Sequence, residues 1–322
     1  MESRYHYVLN GSGWNLALKQ TVDPRHHNKN LRPLAIIPGY GMNSYILGYH
    51  PRDLSMEEYL ALQGFEVWSL NMRGQEPSRS VGGDNEYNIK DIVNEDLAVS
   101  VDYVLDKTRS RRKKVDLIGC SLGGTYAYLY PILVNEKKVG SIVGIGSPFR
   151  MENIHPLLKI AFSSPHLVGM IKLSHIRQLA GFVLPKLIRV PKLLSIYIHP
   201  EIVDISKPEE LILTVEDPNR KLNKELAYWI KKQDLIIDGM NMTEMAADIK
   251  NPLLCVMSNA DGIVNQETAL SILKVASSKV KDSFVAGTDN IKMAHADMFI
   301  SNYAGQMVFE PLAEWLIAQN KK

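Results

Sequence analysis

Short apolar runs alternate with helix-length segments in the first 146 residues of the chain and again after residue 251. Most of these runs begin or end at Gly or Pro, which is typical of short buried strands. The runs are residues 34–37, 65–70, 115–119, 139–146, 253–258 and 283–286. Strands joined by helices pair in parallel, because each connection must cross back over the sheet. The sequence therefore predicts an α/β fold with a mostly parallel central sheet flanked by helices.

Helical periodicity separates these runs. Over residues 89–107 apolar side chains recur every three or four positions, which places them on one face of a helix. Further helices are predicted at residues 56–63, 122–134, 266–275 and 306–318. Residues 5–9 and 14–19 flank Asn10-Gly11-Ser12-Gly13, which predicts an antiparallel hairpin at the edge of the sheet.

The alternation stops between residues 147 and 250. We therefore expect one α/β core, formed by residues 1–146 and 251–322, with residues 147–250 inserted as a helical cap. Residues 153–200 include 25 apolar residues, six Lys or Arg and no Asp or Glu. Such a segment could be a subdomain packed on the core, but its composition favours a lid over an apolar substrate tunnel. Its basic character leaves contact with a lipid surface as a further hypothesis.

Composition excludes several classes of protein. The net charge of +2 gives no support to nucleic-acid binding by bulk charge. Cys120 and Cys255 are too few for a disulfide framework and lack zinc-site spacing, so we predict no metal and no cofactor. The start of the chain does not resemble a signal peptide, and no apolar stretch reaches about 18 residues, so we expect a cytoplasmic protein. The composition leaves the oligomeric state open.

The segment Gly119-Cys120-Ser121-Leu122-Gly123 lies between a predicted strand and a predicted helix. This Gly-x-Ser-x-Gly pattern is typical of a sharp turn that exposes a nucleophilic serine, and the turn leaves almost no space for side chains at its two glycines. Ser121 is therefore the predicted nucleophile. The Leu122 amide, at the start of the helix, is a predicted donor to a developing oxyanion.

Two alternative interpretations of the glycines are weaker. A turn centred on Cys120 would put Ile118 and Leu122 at its crowded positions, so the glycines favour Ser121 as the nucleophile. Gly39-Tyr40-Gly41 could begin a dinucleotide-binding loop, but Ser44 stands where that pattern requires a third glycine.

A nucleophilic serine needs a histidine to accept its proton and a carboxylate to orient the histidine. At this type of turn the order along the chain is Ser, acid, His. Of the nine histidines, only His295 lies in the resumed α/β portion, so it is the predicted base. Asp261 follows the strand at 253–258, at the edge of the sheet where active sites form, and is the preferred acid. Asp289 and Asp297 remain alternatives, although a solvated turn and the start of the last helical region suit them better.

A second oxyanion donor is expected from the loop after the first parallel strand. That loop reads Pro38-Gly39-Tyr40-Gly41-Met42, and the Tyr40 amide is the predicted donor.

These residues resemble the α/β-hydrolase superfamily, in which Ser, Asp and His follow in this order and a cap is inserted after the sixth strand. Residues 71–75 (Asn-Met-Arg-Gly-Gln) resemble the superfamily's Arg-Gly turn, whereas Pro38 departs from its usual His. The resemblance implies that Ser121 is the nucleophile, Asp261 the acid and His295 the base, with the Leu122 and Tyr40 amides as the oxyanion hole.

Within the superfamily, residues 64–71 and 295–299 look closest to lipase-like enzymes and to polyhydroxyalkanoate-synthase-like acyltransferases. The synthases carry cysteine where this chain has Ser121. The resemblance therefore implies a serine hydrolase of carboxylic esters with an apolar acyl group. Acyl transfer from the same serine and an inactive, ligand-binding hydrolase fold are the two alternatives.

Overall fold

The computed structural model describes residues 1–162, 177–180, 194–217 and 219–321. The strands in these ranges are β1 (Glu2–Leu9), β2 (Trp14–Val22), β3 (Leu34–Ile37), β4 (Val67–Asn71), β5 (Arg79–Ser80), β6 (Val115–Cys120), β7 (Val139–Ile145), β8 (Ile236–Ile237), β9 (Met240–Asn241), β10 (Leu253–Ser258) and β11 (Lys281–Ala286).

Helices connect most of the strands. They are α1 (Met56–Leu62), α2 (Ile89–Asp91, then a π-helical stretch Ile92–Leu97, then Ala98–Lys107), α3 (Leu122–Tyr130, then a π-helical turn Pro131–Asn135), α4 (Pro156–Ala161), α5 (Pro208–Leu211), α6 (Arg220–Lys232), α7 (Met242–Met245), α8 (Gln266–Val275), α9 (Asp297–Ile300) and α10 (a π-helical turn Gly305–Phe309, then Glu310–Asn320). Short 3₁₀ turns lie at Ser44–Leu47, Glu136–Lys138, Ile212–Thr214 and Ala246–Asp248.

The main sheet has the strand order β1-β2-β4-β3-β6-β7-β10-β11, with β5 paired to β2. β3 pairs in parallel with β4 and β6, and the pairs from β6 to β11 are also parallel. β1 and β2 form an antiparallel hairpin at one edge. The predicted fold class is thus confirmed, as is the predicted hairpin.

The central strands are buried along their whole length. Every residue of β3, β4, β6 and β10 is buried, which is why these strands are continuous apolar runs in the sequence. One face of the sheet packs against apolar residues of α2, α3 and α8, and the other against α1 and α10. Both faces are therefore covered, as a parallel sheet requires.

Several predicted boundaries agree with the structure and others shift. β10 and α8 begin and end at the predicted residues, and helix α2 spans the predicted residues 89–107. β4 starts at Val67 rather than at residue 65, because the chain is still leaving a turn at Gly64, whose φ is 97°. α3 changes to a π-helical turn at Pro131, because proline has no N–H to continue the α-helical ladder. The two-residue strand β5 was not predicted.

Between β7 and β10 the described residues form the helices α4 to α7 and the small hairpin β8–β9. Residues 163–176 and 181–193 of the predicted cap lie outside the described residues, so its extent, 147–250, remains a prediction. No helix in the described part of the chain is long and apolar enough to cross a membrane.

A buried ion pair joins three parts of the core. Arg73 follows β4 and Asp96 lies in α2, and both side chains are buried. Arg73 Nε lies 2.9 and 3.0 Å from the two Asp96 oxygens, and Arg73 Nη2 lies 2.7 Å from Oδ1. Asn10, in the turn of the edge hairpin, donates its side-chain amide to the same carboxylate at 2.6 Å. Asp96 therefore links the hairpin, the end of β4 and helix α2.

We predict that Asp96→Ala strongly destabilises the fold. It removes the main partner of a buried guanidinium, which lowers the free energy of unfolding by about 3 kcal/mol or more. Asp102→Ala is the matched control, because Asp102 lies on the same helix with a side chain 56% exposed and pairs with Lys138 at the surface. Its effect should stay within about 0.5 kcal/mol. Urea denaturation measures both, and equal losses for the two variants would contradict the assigned role of Asp96.

Candidate active site

Ser121 occupies a strained turn between β6 and α3. Its φ and ψ are 53° and −124°, a combination that costs a non-glycine residue about 1–3 kcal/mol. Backbone hydrogen bonds hold the turn on both sides. The Ser121 amide donates to the Ile145 carbonyl at 2.8 Å, and the Ser121 carbonyl accepts from the Gly124 amide at 3.0 Å. This is the geometry expected of a nucleophile elbow.

The two predicted glycines of the turn have no space for a side chain. A Cβ on Gly119 would lie 2.2 Å from the Gly124 backbone, and a Cβ on Gly123 would lie 2.3 Å from the Ile37 carbonyl oxygen. Both close approaches are to backbone atoms, which cannot rotate away as a side chain would. The pattern in the sequence therefore has a steric cause in the structure.

His295 and Asp261 are hydrogen-bonded to each other. His295 Nδ1 lies 2.6 Å from Asp261 Oδ2, and only 5% and 2% of the two side chains are exposed. Asp261 follows β10, whereas His295 lies between β11 and α9. The other oxygen of Asp261 accepts the Ile263 and Val264 amides, each at 2.8 Å, so the carboxylate is held from its own loop. With Nδ1 engaged, Nε2 is the ring nitrogen left to act as a base.

The two alternative acids are placed differently. Asp289 is exposed. Asp297 begins α9, as expected, but it is buried, and its carboxylate accepts the Ala294 amide at 2.6 Å and the His199 amide at 3.0 Å. Burial raises the pKa of Asp297 to about 7. Of the three aspartates, Asp261 is the one hydrogen-bonded to the His295 ring.

The predicted oxyanion donors lie beside Ser121. Tyr40 and Leu122 line the same cavity as the serine, and a Cβ on Gly39 would lie 3.0 Å from Ser121 Cβ, so the loop contacts the elbow. Leu122 is the first residue of α3 and has no acceptor within its own helix. Neither the Leu122 nor the Tyr40 amide donates a hydrogen bond to another described residue.

Cys120, next to the serine, is the last residue of β6 and is buried. Burial raises the pKa of its thiol far above the usual range. The reactive form of cysteine is the thiolate. The environment therefore favours an inert thiol at this position, in agreement with the interpretation of the glycines.

Ser121 and His295 both line one cavity of about 570 Å³. Most of its wall is apolar and comes from the core and from residues between β7 and β10, as with Ile46, Met151, Ile198, Leu226, Ile230 and Ile263. No Asp, Glu, Lys or Arg occurs among its described lining residues. The cavity therefore suits an uncharged, apolar group that reaches the serine.

Some residues that shape the site were not identified from the sequence. Gly146 follows β7 with a φ of 55°, and a Cβ there would lie 3.0 Å from His295 Cε1. Tyr197 packs its ring beside His295. Both contacts join residues more than 90 positions apart in the chain, and no local pattern marks them. Across the described part of the chain, no group of three or more His, Cys, Asp or Glu could hold a metal ion.

Comparison with known proteins identifies the fold. A family model described as "alpha/beta hydrolase fold" matches residues 32–189. This chain has the α/β-hydrolase fold. A search of curated protein sequences finds no match.

Solved structures with this fold include enzymes from several bacteria. A putative lipase from Acinetobacter baumannii has 16% identity and a TM-score of 0.64, with 99% of this chain and 92% of that chain covered. A putative aryl esterase from Burkholderia cenocepacia has 14% identity and a TM-score of 0.63, with coverage of 99% and 100%. A thermophilic esterase from Thermogutta terrifontis has 14% identity and a TM-score of 0.64, with coverage of 98% and 99%. At these identities the likeness shows the fold.

We predict that Gly119→Ala destabilises the protein, because its Cβ would overlap the Gly124 backbone. The free energy of unfolding should fall by about 1–3 kcal/mol or more. Gly305→Ala is the control, since a Cβ there meets nothing within 4 Å. In a helical turn, alanine should be neutral or stabilising by up to about 1 kcal/mol. Thermal denaturation compares the two, and an unaffected Gly119→Ala variant would contradict the steric account.

Proposed function

We propose that this α/β hydrolase is a serine hydrolase that cleaves carboxylic esters with an apolar acyl group. The observation that carries the proposal is the buried His295–Asp261 hydrogen bond, which lies at the same apolar cavity as the strained Ser121. The lipase and esterases that share the fold support the same reaction class.

We infer the following reaction for these groups. His295 Nε2 takes the Ser121 hydroxyl proton as the serine oxygen attacks the ester carbonyl, and the Leu122 and Tyr40 amides stabilise the oxyanion. Asp261 holds the tautomer of His295 and stabilises the imidazolium. The imidazolium then gives its proton to the leaving alcohol. Water, deprotonated by the same histidine, hydrolyses the acyl-enzyme and regenerates the serine.

The cavity supports the choice of acyl group. Its volume of about 570 Å³ lies within the range of small-molecule sites, and its described lining contains no Asp, Glu, Lys or Arg. A charged acyl group would lose its hydration there without gaining a partner. An apolar acyl group would instead exchange water for aliphatic contacts.

Acyl transfer to another alcohol or to a thiol is the second candidate. It uses the same acyl-enzyme, and an apolar lining, which offers water few hydrogen-bond partners, disfavours hydrolysis. Product analysis with and without an added acceptor alcohol distinguishes the two reactions. Hydrolysis is supported if the added alcohol does not reduce the amount of free acid released. Transfer is supported if the main product is the ester of the added alcohol.

We predict that Ser121→Ala abolishes turnover of a panel of short- to long-chain esters, with kcat reduced by about 10⁴-fold or more. A fluorophosphonate probe should label the wild type and not this variant. Ser80→Ala, which removes an exposed hydroxyl from β5, is the matched control and should keep full activity. If the variant without Ser121 retains activity, the proposed nucleophile is wrong. If the purified wild type is neither labelled nor active, an inactive binding protein is favoured.

We predict that Asp261→Asn lowers kcat by about 100- to 10,000-fold, because an amide at this position favours the wrong tautomer of His295. Asp289→Asn is the control, since Asp289 is exposed in the same sheet-edge region and should leave kcat unchanged. Steady-state kinetics on one ester measures both. A larger loss of kcat in the Asp289 variant would indicate that Asp289, rather than Asp261, is the acid.

A further inference from the structure

A described piece of the inserted segment, residues 194–203, packs against both loops that carry the proposed base and acid. The Ile196 carbonyl accepts the Gly262 amide at 3.2 Å, next to Asp261. A Cβ on Gly262 would lie 2.6 Å from Ile196 Cγ2, so the contact depends on glycine there. Near the histidine, the Ile202 carbonyl accepts the Asn302 amide at 2.9 Å. The segment is thus joined to the core on both sides of the site.

Tyr197 lies at the centre of this contact. Its ring centroid is 5.8 Å from that of His295, with 32° between the ring planes. Its carbonyl accepts the amide of Ala296, the residue after the histidine, at 2.9 Å. Its hydroxyl lies 3.3 Å from Met42 Sδ, at the end of the loop that carries Tyr40. One residue therefore contacts the base and the predicted oxyanion loop together.

The rest of the segment is held by a buried carboxylate. Asp297 accepts the His199 amide, from the segment, and the Ala294 amide, from the histidine loop. The segment and the histidine loop are thereby joined at His199, two residues after Tyr197. The position of the Tyr197 ring is consequently set by the backbone as well as by side-chain packing.

A second contact is needed because the bond to Asp261 fixes His295 at one atom. An imidazole held only at Nδ1 can still pivot and move Nε2 away from the serine. The Tyr197 ring packs beside the imidazole, and the Gly146 backbone also lies close to it. An aromatic ring beside the imidazole restricts this motion, excludes water and favours the imidazolium that forms during the reaction.

We propose that Tyr197, from the inserted segment, is a positioning residue whose ring holds the His295 imidazole in its reactive orientation. The proposal rests on the proposed ester hydrolysis. It makes the inserted segment part of the catalytic apparatus as well as a wall of the cavity.

The test compares three variants on one ester. Tyr197→Leu removes the ring but keeps an apolar side chain, so kcat per mole of folded enzyme should fall about 10- to 100-fold while KM changes less than about threefold. Tyr197→Phe keeps the ring and should retain kcat within about threefold. Tyr7→Leu, on the exposed edge strand β1, is the control and should match the wild type.

Proton NMR provides a readout that does not need turnover. The His295 Nδ1 proton, hydrogen-bonded to Asp261, should give a low-field resonance in the wild type and in Tyr197→Phe. In Tyr197→Leu the resonance should broaden or vanish, because the His295 imidazole moves and water reaches its Nδ1 proton. If Tyr197→Leu does not fold, Tyr197→Met replaces it with the same expected loss.

The outcomes separate the two proposals. An unchanged resonance and unchanged kcat in the Leu or Met variant would overturn the role of Tyr197. An equal loss in Tyr197→Phe would also overturn it, because the hydroxyl rather than the ring would then be responsible. If the wild type hydrolyses no ester but the resonance depends on the ring, the proposed function fails while the positioning of His295 stands.

Discussion

The steric limit at the turn between β6 and α3 determines how the rest of this site is built. Gly119 and Gly123 lie so close to neighbouring backbone that neither has space for a side chain. This close approach lets β6 pass directly into the helix and leaves Ser121 in a strained conformation. The surrounding strands hold that strain, since the Ser121 amide bonds to the end of β7. A parallel sheet buried on both faces provides the rigid support that such a turn needs.

The proposed base and acid depend on a second constraint, the shared edge of the parallel sheet. β10 and β11 both end there, which brings Asp261 to His295 across 34 positions of chain. Asp261 is further held by two amides of its own loop, and residues 194–203 pack over both loops. The proposed site thus combines loops of the core with a contribution from residues 194–203.

The parts of the fold that could be predicted are those encoded by local patterns. β10 is an unbroken apolar run because all its residues are buried, and α8 carries a clear amphipathic repeat, so both were predicted residue for residue. The glycines around Ser121 were predictive because the turn leaves no alternative to them. Chain order pointed to His295 as the base, and the position after β10 favoured Asp261 over Asp289 and Asp297. The structure places Asp261 and His295 in contact.

The parts that could not be predicted depend on contacts between distant residues. Gly146 and Tyr197 lie beside His295, yet each stands in an unremarkable local sequence. The strand β5 is two residues long and exposed, so it has no apolar signal. The π-helical turn after Tyr130 follows from Pro131, whereas the sequence pattern predicts one uninterrupted helix through residue 134.

The central claim is that an acyl group is carried by Ser121, and mass spectrometry of the wild-type protein quenched during turnover of a slow ester tests it most directly. The account predicts a mass increase of one acyl group, located by fragmentation on Ser121. An acyl group on the neighbouring Cys120, or steady ester hydrolysis with no modified protein even at the earliest quench times, would contradict it.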